Sequence, residues 1–245
     1  TGQENWAFVP SAVLSRIYKL ADKNYATMHK FLVDGSPEIG EICPTAPTTG
    51  CDATQWRTIL VGGLNDGGKA YYALDITNPA SPTLLWEFTN ANLGYTYGNP
   101  RITKLKSGQW VVMFASGYNN TNGIDSTGGD GVGRLFIVDA KYGTAVAALT
   151  GTPTPPPPPP LSISTGVGSF ATPSGLAKIA AHVPAPMVDN TVQAVYGGDL
   201  LGNLWRFDVN GDIGSTGIEA HRLVSFTDDP AGNNPQPITA KPVVT

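Results

Sequence analysis

The sequence predicts an all-β fold: a modified β-propeller that forms a partial arc of about three four-stranded blades, with pieces of two more. Three observations support this fold. A strand rich in aromatic and β-branched residues recurs three times and ends each time in an aspartate, at Asp75, Asp139 and Asp208, which lie 64 and 69 positions apart. A second apolar strand that runs into small residues precedes each of these strands. Further upstream, a proline marks the opening of a first strand, where no ladder donor is needed.

Each predicted blade contains a proline-marked strand, an apolar strand, the aspartate-terminated strand and a closing strand. The first blade, residues 31–90, is assigned strands at 36–39, 58–63, 69–75 and 84–88. The second, residues 95–150, is assigned strands at 99–102, 111–117, 133–139 and 145–149. The third, residues 165–228, is assigned strands at 172–175, 192–198, 202–208 and 222–226.

Both ends of the chain resemble parts of further blades. Asn5–Val9 echoes the closing strand around Trp86, which predicts the last strand of a preceding blade. Residues 235–245 read as the opening of the next blade. We therefore expect the rest of the protein's own chain to complete the propeller, because an open arc leaves sheet edges and an apolar flank uncovered.

Two inserts interrupt the blade pattern. Between residues 10 and 22, apolar residues recur at helical spacing, which predicts a helical insert with Ser11 as its N-cap. This helix is expected to pack on the propeller, and partner binding is the alternative. Residues 152–160 form a Pro-rich insert of polyproline II type. It is interpreted as a spacer between the last strand of the second blade and the third blade, with an SH3-type ligand as the alternative.

Composition favours a secreted, β-rich protein. Only 14% of the 245 residues are charged and the net charge is −4, whereas Gly and Pro number 29 and 21. This balance argues against nucleic-acid binding, and no apolar stretch is long enough for a membrane span. The cysteines Cys43 and Cys51 predict a disulfide that clamps a surface loop in an oxidising compartment. The alternative, a metal or redox pair, would favour closer spacing and further ligands.

No catalytic motif is present, so a non-enzymatic protein is expected. The three histidines, His29, His182 and His221, are scattered over different repeats or linkers. The sequence contains no nucleophile elbow and no phosphate-binding loop.

Two polar loops are candidates for calcium, which prefers oxygen ligands. Asp208, Asn210 and Asp212 follow the first half of an EF-hand loop, and Glu219 stands at the twelfth position. However, Ile213 replaces the usual glycine, and a turn-forming role of Asp208 is the alternative. The second candidate has oxygen-bearing side chains in a Gly/Asn-rich loop that could equally be a flexible hairpin; they are Asn119, Asn120, Asn122, Asp125 and Asp130.

Four segments carry a family resemblance that extends over nearly the whole chain. They are residues 31–37, 60–64, 72–77 and 196–208, the last reading YGGDLLGNLWRFD. Together they resemble the PilY/PilC-type tip-associated proteins of bacterial type IV pili. The resemblance implies a C-terminal modified propeller related in fold to quinoprotein dehydrogenases. It also implies a Gram-negative cell-surface or pilus-tip protein that supports pilus biogenesis, twitching motility and adhesion. The implied partners are minor pilins or the pilus tip and a host or abiotic surface.

The resemblance also bears on metal binding. Many family members carry an acidic calcium loop before the strand that leads to the YxGDL block, and residues 185–193 match its position. Only Asp189 remains of its acidic ligands, so we expect no tight calcium site there. Two alternative functions remain: a quinone-dependent dehydrogenase-like propeller and a glycan-binding surface propeller.

Overall fold

The computed structural model contains three four-stranded antiparallel sheets, each formed by strands that are consecutive in the chain. It describes residues 3–44, 51–122, 128–144, 161–186, 188–214, 217–229, 231 and 234–244. The first sheet consists of β1 (Glu38–Ile42), β2 (Arg57–Gly63), β3 (Tyr71–Asp75) and β4 (Thr83–Phe88). The second consists of β5 (Arg101–Lys104), β6 (Trp110–Ala115), β7 (Arg134–Asp139) and β8 (Leu161–Ser164). The third consists of β9 (Ile179–His182), β10 (Ala194–Gly198), β11 (Asn203–Asp208) and β12 (Glu219–Ser225). The predicted all-β propeller arc of three blades is confirmed.

The second blade lies between the other two and is buried on both faces. In β6, Val112 and Phe114 pack toward the first blade, whereas Val111 and Met113 pack toward the third. This division follows from the alternation of side chains along a strand. On the first side the ring of Phe114 stacks on that of Tyr71, with 4.2 Å between their centroids. The strand therefore reads as a continuous apolar run.

The closing strand of the second blade differs from the prediction. Its place beside β7 is taken by β8, where Ile163 pairs with Leu135, so the blade extends beyond residue 150. The predicted strand at 145–149 and the Pro-rich insert at 152–160 lie outside the described residues. Because β8 follows this insert, the insert belongs to the connection between β7 and β8. Its assignment to the link between the second and third blades was wrong.

The opening strand of the third blade was also predicted wrongly. Residues 172–175 are not a strand, and β9 begins only at Ile179. Gly175 has a φ of +64°, which lies outside the extended region. The backbone of Ser174 instead bonds to Gly131 and Leu200 in neighbouring connections. A proline marks the strand opening only in the first two blades, where Pro37 and Pro100 directly precede β1 and β5.

The N-terminal segment covers the face of the first blade that points away from the second. Residues 3–10 form no strand, contrary to the prediction, and Phe8 packs on Tyr72 with 5.2 Å between ring centroids. The helical insert consists of two short pieces, α1 (Ser11–Leu14) and a 3₁₀ helix (Ile17–Ala21). Pro10 occupies the N-cap position, and Ser11 donates its backbone N–H and its hydroxyl to Glu87. The prediction of Ser11 as N-cap was therefore wrong.

The C-terminal segment packs along the third blade. Residues 234–244 contain no strand, so the predicted opening of a further blade at 235–245 does not appear in the described part of it. The backbone N–H of Gln236 donates to Phe226, and that of Ile238 donates to Asp199. These bonds tie the segment to connections within the blade. Among the described residues, no helix has the length and apolar character that a membrane span needs.

A buried aspartate organises the connection between β10 and β11. The Asp199 side chain is fully buried and accepts hydrogen bonds from the Trp205 indole (2.8 Å) and from the backbone N–H of Asn203 (2.9 Å) and Leu201 (3.0 Å). The Asn203 amide donates to both of its oxygens. A buried charge is tolerated when hydrogen bonds of this kind replace water. The GDLLGNLW part of the sequence thus forms one hydrogen-bonded unit.

Replacing Asp199 by Ala should destabilise the fold strongly. The change leaves the N–H donors of Trp205, Asn203 and Leu201 buried without an acceptor. We therefore expect the free energy of unfolding to fall by about 3 kcal/mol or more. Urea denaturation followed by tryptophan fluorescence measures this loss. The exposed Asp228→Ala variant is the control and should be nearly neutral. Equal stability of the two variants would contradict the role assigned to Asp199.

Candidate functional site

The aspartate that ends the third strand of each blade holds the turn that follows. Asp75 accepts a hydrogen bond from the backbone N–H of Thr77 at 2.9 Å. Asp139 accepts from the N–H groups of Lys141 and Tyr142, each at 2.9 Å. Asp208 accepts from the N–H groups of Asn210 and Gly211. Carboxylates that bond backbone two or three residues ahead stabilise turns locally.

The carboxylate of Asp208 is fully engaged by backbone donors. One oxygen accepts from the N–H groups of Asn210 and Gly211, and the other from those of Ile213 (2.6 Å) and Gly214 (2.8 Å). Asp208 is only 1% exposed. Burial raises the pKa of this carboxyl, but the four N–H donors outweigh burial and the net pKa lies below the ordinary value. Asp208 is therefore a stabilised anion within the loop.

The other two predicted calcium ligands contact the second blade. Asn210 accepts a hydrogen bond from the backbone N–H of Lys106 (2.9 Å) and donates its amide to the carbonyl of Val192 (2.8 Å). Asp212 pairs with the Lys106 ammonium at 2.7 Å. The hydrogen bond to Asp212 raises the pKa of Lys106 above its ordinary value. A cation from the second blade therefore already pairs with this loop.

The remaining elements of the EF-hand pattern also take part in local structure. Glu219 lies at the start of β12, opposite Asp208 in the strand ladder, and its carboxylate packs against Gly214. The backbone N–H of Ile213, at the position of the usual glycine, donates to Asp208. Calcium binding would have to displace these bonds together with the Lys106–Asp212 pair. Any calcium affinity at Asp208, Asn210 and Asp212 is thus expected to be weak.

The loop at 185–193 is bonded to the opening strand of the second blade. The Lys104 ammonium pairs with Asp189 at 2.6 Å, and Thr191 donates its hydroxyl to the same carboxylate at 2.8 Å. These bonds, that of Lys104 above all, hold the pKa of Asp189 below its ordinary value. Backbone bonds join Lys104 to Asn190 (2.9 Å) and Val192 (2.8 Å). The loop therefore fastens the third blade to β5.

The two loops meet at one cleft of about 300 Å³ between the second and third blades. Asp189 and Asp212 both line it, and so does Lys106. The sequence offered Asp208, Asn210 and Asp212 as a calcium candidate and predicted no tight calcium site at 185–193, and it did not reveal that these two loops are neighbours. The lysines were missed too: Lys104 ends β5, and Lys106 lies in the turn that follows it. Each lysine pairs with one carboxylate of the cleft, which makes the cleft an inter-blade polar junction.

In its described part, the Gly/Asn-rich loop binds a lysine. The Lys69 ammonium donates to the backbone carbonyls of Asn119 (2.7 Å) and Asn122. Asn120 is buried and donates to Val132, and Asp130 pairs with Arg134 at 2.5 Å. The fifth candidate, Asp125, lies outside the described residues. Within the described ranges, no group of three or more acidic, His or Cys side chains is arranged to hold a metal ion.

The cysteines form the predicted disulfide. Cys43 follows β1 and is bonded to Cys51, with 6.1 Å between their Cα atoms. The bond closes the connection between β1 and β2 in the first blade. Both thiols are therefore committed to a structural link.

The family model for the PilY1 β-propeller domain matches residues 3–221 of this chain. The chain belongs to the PilY1 β-propeller family. The type IV pilus biogenesis factor PilY1 of Pseudomonas aeruginosa strain PAO1 is 33% identical over 212 residues, which cover 85% of this chain and 15% of that protein. A PilY1 homolog of Xylella fastidiosa is 34% identical over 86% of this chain and 13% of its own length.

The fold of this PilY1-family chain agrees with a solved structure. The crystal structure of the Pseudomonas aeruginosa PilY1 C-terminal domain superimposes with a TM-score of 0.66 at 29% identity. The superposition covers all of this chain and 46% of that domain. The family resemblance noted in the sequence is thus confirmed.

Two of the three repeat aspartates, Asp208 and Asp75, test how the number of accepted hydrogen bonds affects stability. Asp208→Asn should lower the free energy of unfolding by about 2 kcal/mol at neutral pH, because an amide cannot accept all four N–H groups. Asp75→Asn is the matched control and should cost less, since Asp75 accepts one N–H. Chemical denaturation of both variants gives the comparison.

The loss of stability caused by Asp208→Asn should also depend on pH in a defined direction. The pKa of Asp208 is lower in the folded state than in the unfolded state. The Asp208 carboxylate therefore contributes fully to the free energy of unfolding above its unfolded pKa, about 4, and this contribution is lost as the pH falls through the folded pKa. The stability gap between the wild type and Asp208→Asn should therefore narrow in acid. A gap that widens in acid would refute the assignment.

Calcium should not bind tightly at either loop of the cleft. Asp189 and Asp212 are each paired with a lysine, and calcium requires six to eight oxygen ligands. Titration calorimetry of the wild type, Asp189→Ala and Asp212→Ala should show at most weak binding. Tight binding that disappears in Asp189→Ala alone would show that the 185–193 loop retains a calcium site.

Proposed function

We propose that this chain provides part of the propeller of a type IV pilus biogenesis factor at the surface of a Gram-negative bacterium. In this proposal it supports pilus assembly, twitching motility and adhesion. Its partners are minor pilins or the pilus tip and a host or abiotic surface. The observation that carries the proposal is the family match over residues 3–221, together with relatives named as type IV pilus biogenesis factors.

The geometry supports a non-enzymatic role. Asp189 and Asp212 pair with lysines of the second blade, and Asp208 is held by the backbone of its own loop. Cys43 and Cys51 are joined in a clamp. The dehydrogenase alternative would instead use a pair of adjacent cysteines over a quinone cofactor. A structural protein that binds its partners through its surface is consistent with carboxylates and cysteines that are all used in internal bonds.

We further propose that other parts of the same protein complete the ring. This chain spans about one seventh of the Pseudomonas relative and 46% of the solved domain. On β11, Trp205 and Phe207 pack toward the second blade, so Arg206 lies on the opposite face of the third blade. Its Nε atom is buried and has no hydrogen-bond partner among the described residues. A following blade could supply the missing acceptor.

Gene deletion in the source bacterium tests the proposal. Removing the gene, together with any paralogous copy, should abolish sheared surface pili and twitching zones and reduce attachment. The intact gene should restore all three. A gene lacking the codons for residues 31–228 should restore none of them, with immunoblots confirming that the shortened protein is exported. Normal piliation and twitching in the deletion strain would overturn the proposal, whereas a defect in attachment alone would remove its pilus-assembly part.

A further inference from the structure

A second cavity lies between the first and second blades, away from the cleft described above. Its volume is about 300 Å³, which is the lower end of the range for small-molecule sites. It is lined by Ile42 of β1, Ile59 of β2 and Leu85 of β4, and by Lys141 from the turn after β7. Pro44, next to the disulfide-bonded Cys43, also lines it. The wall is therefore held by two blades and a covalent link.

The cavity has an apolar part and a cationic part. Pro44 and Leu85 are half-buried and supply the apolar surface, and Ile42 and Ile59, at most 1% exposed, lie directly behind it. Arg57 and Lys141 supply two positive charges, and Asp75 supplies one negative charge. An apolar wall with a few converging polar groups is the usual composition of a ligand site.

The two cations are only partly matched by the protein. The Nε atom of Arg57 lies 3.8 Å from Asp75, too far for a hydrogen bond, and Nη1 donates to the backbone carbonyls of Thr54 and Trp56 at 2.9 Å. The Lys141 ammonium lies 5.0 Å from the centre of the Tyr142 ring. In the described part of the chain, Lys141 has no carboxylate partner. The lining thus carries an excess of one positive charge.

We infer that this cavity binds a small monocarboxylate with an apolar body. The carboxylate binds at Arg57 and Lys141, and the body packs on Pro44 and Leu85, in front of Ile42 and Ile59. Charge-assisted bonds from guanidinium and ammonium groups favour a carboxylate. A phosphate group carries nearly two negative charges and would place the second beside Asp75, which disfavours it. The site is independent of the proposed role in pilus assembly.

Methyl NMR of the isoleucine-labelled full chain tests this inference, with 3-phenylpropionate as the probe. We expect saturable shifts of the Ile42 and Ile59 methyl signals at millimolar probe. The signal of Ile163, which is buried between the second and third blades, should stay in place. The neutral amide, 3-phenylpropionamide, should bind about tenfold more weakly, the loss expected for one charged hydrogen bond.

Variants separate the two parts of the cavity. Lys141→Met should weaken the binding of 3-phenylpropionate about fivefold or more and leave the binding of 3-phenylpropionamide unchanged. The exposed Lys23→Met variant is the matched control and should bind as the wild type does. Leu85→Phe, which fills the cavity, should weaken both probes. Equal binding of acid and amide, or shifts that are as large at Ile163 as at Ile42, would overturn the inference.

Discussion

The burial of both faces of the second blade is the constraint on which the rest of the structure depends. Because β6 and β7 contribute side chains alternately to two interfaces, neither strand has a solvent face. Apolar burial at about 25 cal/mol per Å² makes these interfaces the main source of stability. They also place the inner strands of neighbouring blades side by side. As a result, Lys104 and Lys106 reach loops that are more than 80 positions away in sequence.

Polar contacts at the blade junctions supply specificity on top of this apolar packing. Lys104 and Lys106 join the second blade to the third, and the Trp86 indole joins the first blade to the carbonyl of Ala140 in the second. Exposed ion pairs add little stability by themselves. Their value here lies in fixing how one blade sits on the next. These contacts therefore define the relative placement of the three blades.

Much of the fold could be predicted from the sequence because the blades repeat a local rule. The side chain of the aspartate at the end of each third strand accepts hydrogen bonds from the backbone N–H groups that follow it, so the pattern is visible without tertiary information. The errors concern features that depend on distant contacts. Residues 172–175 are held by backbone bonds between Ser174 and both Gly131 and Leu200, and Ser11 bonds to Glu87, which lies 76 positions away. The cleft was missed because its lysines and carboxylates come from different blades.

Amide hydrogen exchange of the full-length protein measures the dependence on the second blade most directly. The backbone N–H groups of β6 and β7 should exchange slowest, and only through global unfolding, because both of their faces are buried. Those of β12, whose side chains are mostly exposed, should exchange sooner through local opening. Exchange in β6 as fast as that in β12 would contradict a fold organised around its second blade.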